Sequence, residues 1–350
     1  MGERQETYAG TQAVRERHRF DATRLEAWLR AHVKDFRGSL AVEQFKGGQS
    51  NPTYRIEAGG VRYVVRRKPP GLLLPSAHAV DREYRILTAL ADTGVPVPRT
   101  FALCSDDSVI GTQFYVMECV EGRVFWEPTL PDLPPAERGA IYDSMNDVLA
   151  RLHRVDWRAL GLEDFGKPGN YFARQLARWT KQYEASKTKG VPEMEALARW
   201  LPATIPPGEE TTVIHGDFKL DNTIVHPTEP RIVAILDWEI STLGHPLGDF
   251  TYLCMPWYAG GAFAQLDLAA SGLPSLDTYA AAYGRRTGRA KIDAFDWYEA
   301  FHQYRGACIY QGILGRVRDG TAASDHAVQL ADVVGTMAAR AWSIARKLGA

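Results

Sequence analysis

The sequence predicts an α+β chain of two lobes, a small antiparallel-sheet lobe followed by a larger, mostly helical one. Two observations carry this. Between residues 40 and 120, short strand-like runs alternate with glycine pairs and enclose a single helix. After Gly122 the pattern turns helical, interrupted by a segment of short strands and loops from Thr212 to Leu236. A length of 350 residues suffices for two lobes with a sizeable core.

Residues 1–20 read as a flexible lead-in. A helix starts near Asp21 or Thr23, where Thr23 and Glu26 have capping-box spacing, and Leu25, Leu29 and Val33 share a face. Strands follow at Leu40–Phe45, Thr53–Ala58 and Tyr63–Arg67. Gly47-Gly48 and Gly59-Gly60 separate them as hairpin turns would. Asp81–Ala91 reads as a helix and Phe114–Cys119 as a strand. The helices expected next are Ala136–Val155, Tyr171–Ser186 and Glu193–Leu201, with a long alanine-rich helix closing the chain from Ala322 to Leu348. The expected division is a lead-in 1–20, an N-terminal lobe 21–121 and a C-terminal lobe 122–350, with its boundary at Glu121-Gly122.

Composition narrows the function classes. Apolar residues make up 45% and charged residues 24%, as in ordinary soluble proteins, and the net charge of -1 gives no reason to expect nucleic acid as a partner. Cys104, Cys119, Cys254 and Cys308 are scattered and form no zinc or redox pair. The N-terminus is polar through Phe20, and no apolar run reaches the ~18 residues of a membrane span, so the expected location is cytoplasmic.

The chemistry is concentrated in His215-Gly216-Asp217-Phe218-Lys219-Leu220-Asp221-Asn222. Asp217 and Asn222 stand five positions apart, and Asp237 follows 15 positions after Asn222, at the end of the apolar run Ile232–Leu236. Phosphoryl transfer uses such a set: one carboxylate accepts the proton of the attacking hydroxyl, while an amide and a second carboxylate hold Mg²⁺ on the nucleotide phosphates. Asp217 is the candidate base, and Asn222 and Asp237 are the candidate metal ligands. The spacing of His215, Asp217 and Asn222 is that of the protein-kinase loop H-R-D-L-x-x-x-N, with Gly and Phe at the second and fourth positions. No G-x-x-x-x-G-K-[ST] or G-x-G-x-x-G occurs, which excludes a P-loop and leaves a Rossmann site without support.

With Leu236-Asp237-Trp238-Glu239 as the second motif, the sequence resembles the aminoglycoside phosphotransferase and choline kinase group from about Phe45 onward. The resemblance is closest to a subgroup found beside, or fused to, acyl-CoA dehydrogenases, which carries Asn51-Pro52-Thr53-Tyr54, Arg67-Lys68-Pro69-Pro70-Gly71 and Asp237-Trp238-Glu239. The resemblance implies a protein-kinase-like fold, ATP or GTP as co-substrate, Mg²⁺, and a small-molecule hydroxyl acceptor. It assigns His215 to organising the loop behind the base and Lys219 to neutralising the transferring phosphoryl group. It assigns Asp249 to bracing the catalytic loop. Glu239, two residues after Asp237, is a candidate for a water-mediated metal contact, with a solvated side chain as the alternative.

In the small lobe, Lys46-Gly47-Gly48-Gln49-Ser50-Asn51 is the candidate phosphate loop, since glycines let backbone N–H groups approach an anion. The resemblance calls for a lysine on the third strand. Alternation puts Arg66 there, with Lys68 as the alternative, and Glu83 as the helix partner of that cation. Met117 is expected to line the base pocket, with the Glu118 carbonyl and the Val120 N–H bonding the adenine edge. Asp164-Phe165-Gly166 spells a kinase metal motif but precedes Asp217 by about fifty residues, the wrong order along the chain.

The acceptor is less legible. The last hundred residues hold ten Lys plus Arg against eight Asp plus Glu, with Arg285, Arg286, Arg289 and Lys291 clustered. That points to an anionic acceptor, a hydroxy acid or hydroxyacyl-CoA, over a polycationic aminoglycoside, choline or a sugar. Only eleven residues separate Asp237 from Asp249, too few for the activation segment of an enzyme acting on proteins. A non-catalytic nucleotide-binding module is the remaining rival. Oligomeric state stays open.

Overall fold

Alternation of apolar and polar residues builds the first sheet. The computed structural model describes residues 7–47, 51–71, 79–258, 260–319 and 327–350. Six strands, β1 (Thr11–Gln12), β2 (Ala41–Phe45), β3 (Thr53–Ala58), β4 (Val61–Arg67), β5 (Thr100–Cys104) and β6 (Phe114–Glu118), form an antiparallel sheet in the order β1-β2-β3-β4-β6-β5. In β3, Tyr54, Ile56 and Ala58 are buried while Arg55 and Glu57 face away. Gly59 and Gly60 join β3 to β4 with φ of 60° and 80°, the left-handed pair that a two-residue hairpin requires. Helix α1 (Ala22–His32) covers one face, packing Leu25 and Leu29 with Tyr54, Ile56, Val65, Phe114 and Val116. Each fully buried leucine of this kind contributes about 1.5–3 kcal/mol.

Several expectations change here. The cap of α1 is Asp21, whose Oδ1 accepts from the N–H groups of Thr23 and Arg24 at 2.9 and 3.2 Å. Glu26 therefore lies beyond the third helical position and accepts from the Leu40 N–H and from Arg30 instead of closing a capping box. The lead-in is structured from residue 7 onward. Its β1 pairs with β2, the Lys46 N–H donates to Gly10 O at 3.1 Å, and Tyr8 packs on Trp126 with ring centroids 5.0 Å apart. Strand β5 was not read in the sequence. Gly48, Gln49 and Ser50 lie outside the described residues, as do residues 322–326 of the expected last helix.

The chain packs as two compact units. The first comprises Met1–Phe165, His215–Ser241 and Asp267–Pro274; the second comprises Gly166–Ile214, Thr242–Leu266 and Ser275–Ala350. Besides the sheet and α1, the first unit contains α2 (Val80–Leu90), α3 (Pro135–His153), the hairpin of β8 (Thr223–Val225) and β9 (Ile232–Ile235), and the short helix α7 (Leu268–Ser271). The second unit holds the antiparallel pair β7 (Thr212–Ile214) and β10 (Thr242–Gly244). Its helices are α4 (Tyr171–Ser186), α5 (Pro192–Ala203), α6 (Pro246–Leu253), α8 (Leu276–Thr287), α9 (Phe295–Arg318) and α10 (Ala327–Lys347). Its core is aromatic: Phe172 meets Trp297, Tyr298 and Phe301 at 5.2–5.3 Å, and Phe250 stacks on Tyr283 at 3.9 Å. No described helix is long and apolar enough to cross a membrane.

Candidate active site

The first unit encloses a cavity of about 830 Å³. Gly47 after β2, with Thr53 and Arg66 of the sheet, lines it, as do Met117–Val120 at the end of β6, then Gly122–Trp126, and finally Lys219, Asp221, Asn222 and Asp237. A cavity of this size accommodates a ligand of nucleotide dimensions.

Backbone pairing brings the last group together. The β8–β9 hairpin sets Thr223 opposite Ile235, and the Leu236 N–H donates to Asn222 O at 2.8 Å. Asn222 and Asp237, 15 residues apart in sequence, thus become neighbours. The hairpin is tied to the end of the sheet by reciprocal bonds between Arg123 and Val225, N–H to O at 2.7 and 2.9 Å. Only glycine fits beside this pairing: a Cβ on Gly122 would lie 2.3 Å from Val225 O.

His215 is fully buried and organises the loop. Its Nε2 donates to Leu236 O at 2.8 Å and its Nδ1 accepts from the Asp217 N–H at 3.2 Å, which fixes the tautomer. The buried Trp238 ring packs edge-on against it at 4.8 Å and anchors its own Nε1–H on Ile235 O. Asn222 Nδ2 donates to Asp217 O and Oδ2 at 2.9 and 3.0 Å, leaving Oδ1 as the amide atom for a cation. Lys219 Nζ lies 3.3 Å from Asp217 Oδ2 and 3.5 Å from Asp221 Oδ2. Burial opposes the Lys219 charge, but the two carboxylates outweigh it and raise its pKa. Burial likewise pushes Asp221 up, with Lys219 opposing. Asp221, a cavity-lining carboxylate one residue before Asn222, was not singled out in the sequence.

Arg66 of β4 is buried, and its fork reaches three partners. Nε lies 2.8 Å from Glu83 Oε2, Nη1 donates to Thr53 Oγ1 at 3.3 Å, and Nη2 lies 2.5 Å from Asp237 Oδ1. Burial works against the guanidinium charge, but Glu83 and then Asp237 more than offset it and raise its pKa. Burial also disfavours the Glu83 carboxylate, yet a guanidinium this close, which keeps its proton, holds the pair ionised. Tyr115 donates to Glu83 Oε2 at 3.2 Å and Asn51 Nδ2 to Oε1 at 2.8 Å. The Asn51 side chain is thus turned inward onto Glu83, which leaves its backbone N–H as the group of this residue expected at the phosphates. Lys68 is held by Gln113 Oε1 at 2.8 Å and does not line the cavity. Glu239 Oε2 stands 3.8 Å from Arg66 Nη2.

The remaining predicted residues fall elsewhere. Asp249 is buried in the first turn of α6, in the second unit. The Asp164-Phe165 pair braces α2 from outside: Arg85 pairs with Asp164 at 2.5 Å, and Arg82 donates to Phe165 O at 2.7 Å while lying over its ring. In the basic cluster Arg289 pairs with Glu210 and Lys291 with Asp293, so these two charges are engaged within the protein.

Magnesium takes oxygen ligands and keeps several waters. Asn222 Oδ1 and the Asp237 carboxylate, both at the cavity wall, are donors of that kind. Among the described residues no group of three or more His, Cys, Asp or Glu is arranged to hold a metal alone. The donor set therefore fits a cation that arrives with further oxygens on a ligand.

Comparison with known proteins agrees with this architecture. The model of the phosphotransferase enzyme family matches residues 41–297. Acyl-CoA dehydrogenase family member 10 of Mus musculus is 46% identical over 318 residues, which are 89% of this chain and 30% of that protein. Member 11 of Homo sapiens is 38% identical over 340 residues, 94% of this chain and 44% of that protein. The chain thus spans less than half of either relative. A crystal structure from Ralstonia eutropha named "putative aminoglycoside phosphotransferase" superposes with a TM-score of 0.86 at 52% identity, covering 94% of this chain and 99% of that one. A ternary complex of aminoglycoside phosphotransferase APH(4)-Ia with AMP-PNP and hygromycin B, 17% identical with a TM-score of 0.57, shares the fold over 93% of this chain and 98% of its own. The sheet, the β8–β9 hairpin and the family match agree, and the chain belongs to the phosphotransferase enzyme family, with its kinase-like fold.

Proposed function

We propose that this chain transfers the γ-phosphate of ATP or GTP to a hydroxyl of a small molecule. The observation that carries the reading is the linked set Asp217, Asn222 and Asp237: Asn222 and Asp237 line a cavity of about 830 Å³, and Asp217 accepts from the Asn222 amide behind that wall. Asp217 Oδ accepts the hydroxyl proton as that oxygen bonds to the γ-phosphorus and the bond to the β-phosphate oxygen breaks. The leaving nucleoside diphosphate takes the electron pair. Asn222 and Asp237 would hold Mg²⁺, which supplies charge neutralisation on the phosphates when bound. Arg66 would contact the α- and β-phosphates, and Lys219 the transferring group. Gly47, with Gly48 and Ser50, would approach the phosphates, and the Glu118 carbonyl and Val120 N–H would hold the base against Met117. His215 keeps the loop in register.

For the acceptor, two observations favour a hydroxy acid or its CoA thioester over an aminoglycoside. The relatives are named for acyl-CoA dehydrogenases. Ile240, 46% exposed, lies against Gly216 beside Asp217 and offers an aliphatic chain an apolar surface where a polycation would need acids. The test compares kcat/KM for hydroxyacyl-CoA, free hydroxy acid and kanamycin-type acceptors under saturating Mg-ATP. Hydroxyacyl acceptors are expected to lead by tenfold or more. An aminoglycoside value of about 10⁴ M⁻¹s⁻¹ or above would overturn the acceptor assignment.

A further inference from the structure

We propose that the metal site of this chain is completed by the nucleotide: Arg66 holds the Asp237 carboxylate in the protein alone, and nucleotide phosphates draw the guanidinium away, releasing that carboxylate to a divalent cation. The inference rests on the phosphotransferase reading above and concerns how its metal site is assembled.

The geometry is specific to an arginine. One planar group meets Glu83 through Nε at 2.8 Å, Thr53 through Nη1 at 3.3 Å and Asp237 through Nη2 at 2.5 Å, with Glu239 at 3.8 Å. A lysine is a point charge without this fork and cannot spread over the same partners. Nη2 thus engages Oδ1 of the carboxylate expected to ligate the metal, and its charge repels a second cation there. Asp237 sits in the left-handed region at φ 65°, and the bond from the Leu236 N–H to Asn222 O holds the backbone beside it.

Arg66, Asp237 and Asn222 all line the same cavity, so entering phosphates reach the guanidinium directly. Phosphate oxygens offer a guanidinium bidentate, charge-assisted bonds, the type of ligand that competes with a carboxylate. Among the described residues no group of three or more Asp, Glu, His or Cys stands ready to bind a metal independently. Metal and nucleotide affinity are then reciprocally coupled, each raising the other by the same factor.

The test is equilibrium dialysis of Mn²⁺ against the full chain, with and without AMP-PNP. In the wild type, AMP-PNP is expected to tighten protein-bound Mn²⁺ at least tenfold. In Arg66→Met, Mn²⁺ without nucleotide is expected to bind at least tenfold more tightly than to the wild type, and the nucleotide effect shrinks accordingly. Arg66→Met/Glu83→Gln leaves no uncompensated buried carboxylate and should give the same result if the single variant fails to fold. Variants that bind Mn²⁺ alone no more tightly than the wild type, while the wild type still binds it with AMP-PNP, overturn the inference and leave the proposed function standing. Absence of wild-type Mn²⁺ binding even with AMP-PNP removes both.

Discussion

Asp237 shows how much rests on one residue. It is a non-glycine residue at φ 65°, a conformation costing on the order of 1–3 kcal/mol that persists only where the surroundings fix it. Here the β8–β9 pairing fixes the backbone and Arg66 the carboxylate. Asp237→Asn, which tolerates the left-handed region, is expected to fold and to lose the Mg²⁺-dependent tightening of ATP binding. Asp164→Ala should leave that tightening intact, because Asp164 is exposed and pairs with Arg85 on the outside of α2. Calorimetry with and without Mg²⁺ decides, and the reverse pattern would mean the two motifs have exchanged roles. Spacing alone singles out Asp217, Asn222 and Asp237, and the structure brings them together: Asn222 bonds Asp217, and Asn222 O accepts from the residue before Asp237. Asp221, Thr53 and Trp126 were not legible in this way, since nothing in their types or periodicity marks a cavity wall. The bond from the Asn51 amide to Glu83 is likewise invisible in the sequence, because it joins residues 32 positions apart.

At the scale of elements, the site depends on one close approach. Gly122 lets the segment that follows β6 lie against β8, which directly follows Asn222 in the chain. Gly122→Ala is expected to destabilise the chain by about 1–3 kcal/mol through overpacking against backbone that cannot move aside. It should also weaken ATP binding, and paired thermal and binding measurements check both. Helix α4 and strand β3 match their sequence expectation from end to end, because each has clear periodicity and turn residues at its borders. Strand β5 follows a proline-rich stretch and lacks clean alternation, so it did not announce itself. Strand β1 is two residues long, too short for any period, and only its pairing with β2 reveals it. The Asp164-Phe165-Gly166 motif teaches a related lesson: its first two residues brace α2, which carries Glu83, and order along the chain separates it from Asp237.

For the molecule as a whole, stability should carry an acid-side signature from the second unit. His302 of α9 is buried, with Nε2 bonded to Thr251 Oγ1 at 2.9 Å, and burial followed by the nearby Arg305 holds its pKa well below 6.5. A depressed histidine binds fewer protons folded than unfolded, so its contribution is complete above pH ~6.5 and is lost as pH falls toward the folded value. Melting temperature should therefore drop below pH ~6.5, and His302→Gln should flatten that slope even if it lowers the plateau. An unchanged slope would assign the loss to other groups.

The central claim, a phosphotransferase with Asp217 as its base, is tested most directly by transfer of labelled γ-phosphate from Mg-ATP to a pool of hydroxylated acceptors that includes hydroxyacyl-CoA thioesters. Wild type and Asp217→Asn are compared at matched nucleotide occupancy. The account predicts acceptor-dependent transfer by the wild type and a loss of about 10²–10⁴-fold in the variant, with nucleotide binding unchanged. Transfer by Asp217→Asn within twofold of the wild type, or no transfer by the wild type to any acceptor, would contradict it.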